Sequence, residues 1–421
     1  MRIIFIYAHF NHTGGSVALR LSWVSRGWRE LALSTRHLWA TITSTNLGWI
    51  QAAISRAGDV DLRINLNIMK PPRDPGFLPP LIESLPRTQQ LSIFADDGCR
   101  VEFITPAVHS PSSFPRLERI YLREVSIPSE FFPGILPALE VLNLRLCEID
   151  WDRLPLMPRL TFLNIDNPHQ QIEVGKLVQF LHGTPNIHSI ILFRALLNPD
   201  SGLSPIRSDR PRSIQLGNLD GIYFSKVWLD AAVELFHSIQ IPNTAKGNFD
   251  LYANRAIDPF AIMDSFVDSR GAMISSSSLV IDTLDGIQQI MLDDIYYNLW
   301  FSFPGISPII NAVRRSISFS FLETVTLEGN MDDDDIDLAE FNQVFQSFTS
   351  VPSLSLGGGF TTLFLRSIVH QNEGFSRRSS SAPTLVGDVG SPGLLVFHVG
   401  NLRFQSLRAP STRIPTSYHS R

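Results

Sequence analysis

Apolar residues recur along this chain with two periods. Between Leu21 and Leu31 the period is helical: Leu21, Val24, Trp28 and Leu31 fall three, seven and ten positions along one stripe, with Arg20, Arg26, Arg29 and Glu30 off it. This spacing predicts one amphipathic helix. Ser34 and Thr35 are suited to cap a second short helix from about Arg36, which returns Leu38 and Trp39 to the same side. A further helix is predicted from Trp49 to Ala57, ending at Gly58. The period then changes to two, because Leu62, Ile64, Leu66 and Ile68 alternate with Arg63, Asn65 and Asn67, as in a half-buried strand.

Further along, one short strand phrase recurs. It reads Leu117-Glu118-Arg119-Ile120-Tyr121-Leu122, then Leu139-Glu140-Val141-Leu142-Asn143-Leu144, then Leu160-Thr161-Phe162-Leu163-Asn164-Ile165, then Ile187-His188-Ser189-Ile190-Ile191-Leu192. The steps from Leu117 to Leu139, Leu160 and Ile187 are 22, 21 and 27 residues. Pro115, Pro137, Pro158 and Pro185 stand two residues ahead of each phrase, a place that suits strand entry because the missing N–H breaks no ladder bond. Weaker echoes occur at Thr88 to Ile93, Ile214 to Leu219, Ile287 to Leu292 and Val351 to Leu356. Between them, Val227 to Ile239 and Leu338 to Phe348 have helical spacing, with Trp228, Ala231, Ala232, Leu235 and Phe236 on one stripe.

Two family resemblances rest on these patterns. Residues 21 to 39 resemble the second half of an F-box as it runs in many mushroom-type fungi, Leu-x-x-Val-Cys-x-x-Trp-Arg-x-Leu-Ala-Leu-x-Thr-Pro-x-Leu-Trp. Ser25 replaces the Cys, Gly27 stands inside the helix at a cost of roughly 1 kcal/mol against Ala, and Arg36 replaces the Pro. The family's opening helix, Leu-Pro-x-Glu-Ile-Leu, is not recognisable in Met1 to Val17. The recurring phrase resembles an irregular leucine-rich repeat, whose period is about 20 to 29 residues. Leu322-Glu323-Thr324-Val325-Thr326-Leu327-Glu328-Gly329-Asn330 is its most specific match, with Val for one Leu. The competing reading is a set of unrelated short strands in an α/β domain, to which the irregular later spacing lends weight, but the repeat reading stays ahead of it.

The resemblances imply an α/β chain in which a short F-box-like helical remnant precedes an irregular leucine-rich-repeat-like solenoid. The expected divisions are a divergent segment 1–17, partial F-box-like helices 18–45, a repeat region 46–370 and a polar, disordered tail 371–421. They also imply a substrate-recognition adaptor of a cullin-type ubiquitin ligase. Val24, Trp28, Leu31, Leu38 and Trp39 would form the fold that docks a Skp-type adaptor, mostly as its core. A protein substrate would meet the concave face at Arg119, Tyr121, Arg123, Asn143, Arg145, Asn164, Asp166 and Phe193, beside Val141, Phe162, Ser189 and Ile191, since aromatics and arginines are enriched in binding hot spots. The alternative is a repeat scaffold that binds a protein without a ligase connection.

Composition narrows the field. With 421 residues, 44% of them apolar, the chain can bury a large core. A net charge of -5 with 18% charged residues supplies no basic field for nucleic acid, so none is expected as a partner. Only Cys99 and Cys147 occur, too few for a disulfide framework, which fits a reducing cytoplasmic or nuclear setting with each thiol buried alone. The apolar run at Ile3 to Ala8 is too short for a convincing signal peptide, and no stretch approaches the roughly 18 apolar residues of a membrane span.

No phosphate loop, nucleophile elbow or His-Glu-x-x-His motif is present, so no catalytic residue, cofactor or metal is expected. Gly357-Gly358-Gly359 is expected to mark a bend, and Asp332 to Asp335 with Asp337 a solvated lead into a helix at Leu338. His9 and His12 are expected at the surface, and the serines after Arg377 and Arg378 in a flexible polar stretch.

Overall fold

The computed structural model describes residues 16–68, 75–95, 101–102, 114–127, 132, 134–198, 214–252, 261–271, 278–284, 287–292, 295–300, 315, 322–329, 351–357, 361–362, 366, 395–398 and 405–406. The chain is a mixed α/β protein built on a large parallel sheet, and it divides into two compact units. The first comprises residues 1–246 and 268–271; the second comprises residues 247–267 and 272–421.

In chain order the first unit contains α1 (Ser16–Val24), α2 (Arg26–Ser34), β1 (Thr41–Ile42), α3 (Leu47–Ala57), β2 (Leu62–Ile68), α4 (Leu78–Ser84), β3 (Thr88–Ala95), β4 (Val101–Glu102), β5 (Arg119–Arg123), β6 (Val125–Ser126), β7 (Val141–Arg145), β8 (Phe162–Asp166), α5 (Val174–His182), β9 (Ser189–Phe193), β10 (Ile214–Gln215), β11 (Gly221–Trp228), α6 (Leu229–Ser238) and β12 (Ile239–Gln240). Its main sheet runs β1-β2-β3-β5-β7-β8-β9-β11, and every neighbouring pair is parallel. From β5 onward the register advances without a slip: Arg119, Val141, Phe162, Ser189 and Gly221 lie side by side.

That register aligns the sequence phrase in space. Leu117, Leu139, Leu160, Ile187 and Leu219 precede the strands and are buried; Ile120, Leu142, Leu163, Ile190 and Ile222 follow, then Leu122, Leu144, Ile165, Leu192 and Phe224. Each such leucine or isoleucine stabilises the fold by about 1.5–3 kcal/mol through burial. The prolines serve a more specific purpose than strand entry. Leu117, Leu139, Leu160 and Ile187 each donate a backbone N–H to the carbonyl three residues back, at 3.0–3.4 Å, closing a β-turn with Pro115, Pro137, Pro158 or Pro185 at its second position. The ring presets φ there.

A left-handed residue follows directly on β5, β7, β8 and β9 and recurs at the same register position inside β11. Glu124, Leu146, Asn167, Arg194 and Lys226 have φ of 56°, 50°, 47°, 47° and 54°, and each stands five residues after the aligned strand start. This conformation costs a side-chain-bearing residue roughly 1–2 kcal/mol. It is offset by bonds between adjacent strands, because Glu124, Leu146, Asn167 and Arg194 donate their N–H groups to the carbonyls of Arg145, Asp166, Phe193 and Ser225 at 2.7–2.9 Å. The next residue is buried each time, as Val125, Cys147, Pro168, Ala195 and Val227.

Four local expectations in this unit are corrected. The helix from Leu21 to Leu31 is broken at Ser25, which lies extended (φ -160°) and accepts the Trp28 N–H on Oγ at 3.2 Å. The stripe continues across the break, so periodicity hides it. Ser34 and Thr35 do not cap the next helix with their side chains; both hydroxyls donate back to the Leu31 carbonyl, at 3.0 and 2.7 Å, and Arg36–Trp39 is a short 3-10 turn. The helix expected from Val227 starts at Leu229, because Val227 and Trp228 end β11. The echo at Ile214 to Leu219 is not a main-sheet strand either: Ile214–Gln215 pairs with β12, and Leu216 to Leu219 is the turn ahead of β11. Elsewhere α3 and β2 form as expected, with Asn46 capping α3 through the Trp49 N–H at 2.9 Å and Gly58 leaving it at φ +62°.

The second unit contains β13 (Lys246–Tyr252, its first residue assigned to the first unit), most of α7 (Ala261–Arg270), β14 (Ser278–Leu284), β15 (Ile287–Leu292), β16 (Ile295–Trp300), β17 (Thr324–Gly329), β18 (Ser353–Leu356), β19 (Leu395–His398) and β20 (Gln405–Ser406). Its strand order is β13-β16-β15-β14-β17-β18-β19-β20. The echo at Ile287 to Leu292 is corrected here: β15 is antiparallel to both β14 and β16. The echoes at Leu322 and Val351 do yield parallel neighbours, β17 and β18, with Val325, Leu327, Leu354 and Leu356 buried. The tail expected to be disordered contributes two strands, since Leu395-Val396-Phe397 is an apolar run bounded by Gly393 and Gly400. Asn330, the acidic run at Asp332, the helix at Leu338 to Phe348, the serines after Arg378, Cys99, His9 and His12 lie outside the described residues.

Candidate functional site

Two surfaces of the first unit carry the residues singled out by sequence. The first is the helix pair. Trp39 anchors it: its indole N–H donates to the Ala32 carbonyl at 2.9 Å, its ring lies 5.3 Å from that of Trp49, and the Arg56 guanidinium sits 4.3 Å above it. Leu38 and Trp39 are buried, Trp28 and Leu31 are half-buried, and Arg29 ties the helices together by donating to the Ser22 carbonyl at 2.9 Å. Arg36 pairs with Asp59, and that carboxyl lies below its usual range, first through a backbone hydrogen bond and then through the guanidinium. The arm is thus fixed to the edge of the sheet at β1 and β2.

Val24 departs from its expected place in the core, being 61% exposed. Trp23, which sequence reasoning passed over, is 72% exposed, and Leu33 on α2 is 39% exposed. The stripe gave no signal for either residue, since Val24 on it and Trp23 beside it are both exposed while Ser22 off it is buried.

The second surface is the outward face of the parallel strands. Tyr121, Asn143, Asn164, Ile191 and Tyr223 form one row across β5, β7, β8, β9 and β11, and Arg123, Arg145, Asp166, Phe193 and Ser225 form the next. Arg119 begins a third row with Val141, Phe162 and Ser189. All the expected substrate-face residues therefore share one face, and each is half-buried or exposed.

The second row carries positive charge. Arg145 pairs with Asp166 at 3.1 Å and Arg123 with Glu124 at 3.5 Å, while Arg194 and Lys226, at two left-handed positions, bring their cations 5.4 and 5.8 Å from the Phe193 ring centroid. Arg194 and Lys226 were missed from sequence because their direction depends on a backbone conformation with no residue signature. In the first row, Asn164 Oδ1 is shielded from water and has no hydrogen-bond partner.

Cys147 points away from this face. Its thiol donates to the carbonyls of Leu122 and Arg145, both at 3.3 Å, and burial pushes it up to about 11. A protonated, buried thiol is a poor nucleophile. Among the described residues no cluster of three His, Cys, Asp or Glu side chains is placed to hold a metal, and no helix is long and apolar enough to cross a membrane. Compared with known proteins, the chain matches no family model and no curated protein.

Proposed function

We propose that the protein is a substrate-recognition adaptor of a cullin-type ubiquitin ligase, with α1 and α2 docking a Skp-type adaptor and the outward sheet face of a leucine-rich-repeat-like solenoid holding a protein substrate. The observation that carries it is the exposure of Trp23 and Val24 on a helix pair whose other end is fixed by Trp39. A tryptophan on a rigid support is the kind of residue that dominates a protein interface. The F-box-like order of residues 21 to 39 gives that interface its identity. The regular burial of inward positions in each repeat supports the solenoid, and the Arg194 and Lys226 cations beside Phe193 suit an acidic substrate surface.

Size-exclusion co-elution of the full chain with a purified Skp-type adaptor tests the reading. A complex is expected, and Trp23→Ala with Val24→Asp should abolish it while leaving the melting temperature unchanged, because both residues are exposed. A folded chain that binds no adaptor but retains a protein partner through Arg145 and Tyr121 would instead be a repeat scaffold without a ligase connection.

A further inference from the structure

Charge is unevenly satisfied on the outward face of β9 and β11. Arg123 and Arg145 are neutralised by Glu124 and Asp166, at 3.5 and 3.1 Å. Arg194 and Lys226 have no carboxylate partner among the described residues, and both bring their cations beside one ring, that of Phe193, at 5.4 and 5.8 Å. Arg194 is exposed, and the Lys226 ammonium is not shielded from water. Their nearness follows from the fold. Arg194 follows β9 directly and Lys226 stands at the same register position in β11, both with positive φ. Asp166 is the register neighbour of Phe193, but its carboxylate is held by Arg145.

Two residues back along the strands the same face is apolar. Ile191 lies opposite Tyr223, which is 38% exposed. The Tyr223 ring is laid back over Gly221, where a Cβ would stand 2.9 Å from its Cε2. Glycine there lets the ring lie along the sheet instead of standing off it. A pair of unpaired cations and an accessible apolar pair thus lie one same-face step apart, about 6.6 Å at roughly 3.3 Å per residue.

We infer that this part of the face binds an extended peptide segment of a partner protein, one with an Asp or Glu two positions from an apolar residue. The carboxylate meets Arg194 and Lys226, and the apolar side chain lies on Ile191 and Tyr223. This rests on the reading of the outward face as a partner surface and names what that face selects. Charge complementarity sets the acidic residue, because a carboxylate can take a charge-assisted hydrogen bond from each cation. Spacing sets the rest: side chains two apart in an extended peptide fall on the same side and rise by the same distance as the two rows. A nucleic acid would call for a longer run of free cations than two, on a chain whose net charge is -5.

The test uses the full chain and a fluorescein-labelled Gly-Phe-Gly-Glu-Gly-Phe-Gly-amide peptide, in which Phe stands two positions to either side of Glu and either chain direction fits. Its Gln counterpart is the uncharged isostere. Binding is read by fluorescence anisotropy at roughly 0.15 M salt, where the Debye length is about 8 Å and long-range attraction is screened. The Glu peptide should bind about ten-fold more tightly than the Gln peptide, the scale of one charge-assisted hydrogen bond. Arg194→Gln with Lys226→Gln should remove that preference and leave the melting temperature unchanged, since neither cation has an ion pair to lose. Tyr223→Ala should weaken both peptides alike and keep the preference. Arg20→Gln with Arg26→Gln, an equal loss of charge at exposed positions of the helix pair, should change nothing. Equal binding of the two peptides that Tyr223→Ala still weakens would overturn the carboxylate assignment and leave the face as a partner surface. A preference that survives loss of both cations, or falls as far with Arg20 and Arg26, would overturn it too. Binding of neither peptide, or binding that Tyr223→Ala does not alter, would overturn the partner reading of this part of the face as well.

Discussion

Strands β5 to β9 and strands β14 to β16 are written in the same alphabet, alternating Leu, Ile and Val with polar residues, yet the first set is parallel and the second antiparallel. The strand residues do not decide the difference; the connections do. From β7 to β8 the chain has 16 intervening residues, Leu146 to Thr161, enough to cross back beneath the sheet, whereas only Asp285-Gly286 separates β14 from β15 and only Asp293-Asp294 separates β15 from β16. Two residues can form only a hairpin. Asp-Gly is also a strong hairpin dipeptide, and its presence forecast the reversal that the echo at Ile287 concealed. An apolar phrase therefore identifies a strand, while the chain between two phrases identifies its partner and direction.

The largest break in this contrast should come from the inward positions of the parallel stack. Leu163→Ala removes a fully buried side chain and is expected to lower stability by about 2–5 kcal/mol, whereas Ile191→Ala, half-buried on the outward face, should cost under about 1.5 kcal/mol. Urea unfolding with an unchanged m-value distinguishes them; equal losses would mean that the two faces are not inner and outer.

Cys147 gives a pH-dependent version of the same test. Its folded-state pKa of about 11 exceeds the ordinary 9.0, so its thiol contributes stability that is fully present below pH 9 and is lost as pH rises through about 11. The two-unit difference corresponds to about 2–3 kcal/mol at most. Unfolding of wild type against Cys147→Ala between pH 8 and 11 should show the gap between them narrowing by roughly that amount; a constant gap would place the thiol in water.

The smallest effect should come from Leu146→Gly. Freeing the left-handed position from its side-chain clash is expected to leave stability unchanged or raise it by up to about 1 kcal/mol, against the usual cost of introducing glycine. A clear loss would show that Leu146 contributes more by packing than its φ costs.

Much of this was legible in the chain. The inward residues at Ile120, Leu142, Leu163 and Ile190 and the outward face beside them follow from alternation, which geometry enforces. Helix α3 was legible because a cap and a glycine bracket it. The break at Ser25 was not, since an apolar stripe runs on through a capped bend, and β11 was shortened by a helical stripe that begins inside it at Trp228. The left-handed residues were invisible because Glu, Leu, Asn, Arg and Lys share no chemistry; only their common place in the register reveals them.

The most direct test of two separate protein-binding surfaces is site-specific photo-cross-linking of the full chain with a purified Skp-type adaptor. A benzophenone amino acid is placed in turn at Trp23 on the helix pair and at Tyr121 on the outward sheet face. The adaptor is predicted to form an adduct from position 23 and none from position 121. An adduct from position 121, or none from either position in a folded chain, would contradict the assignment of the helix pair as the docking surface.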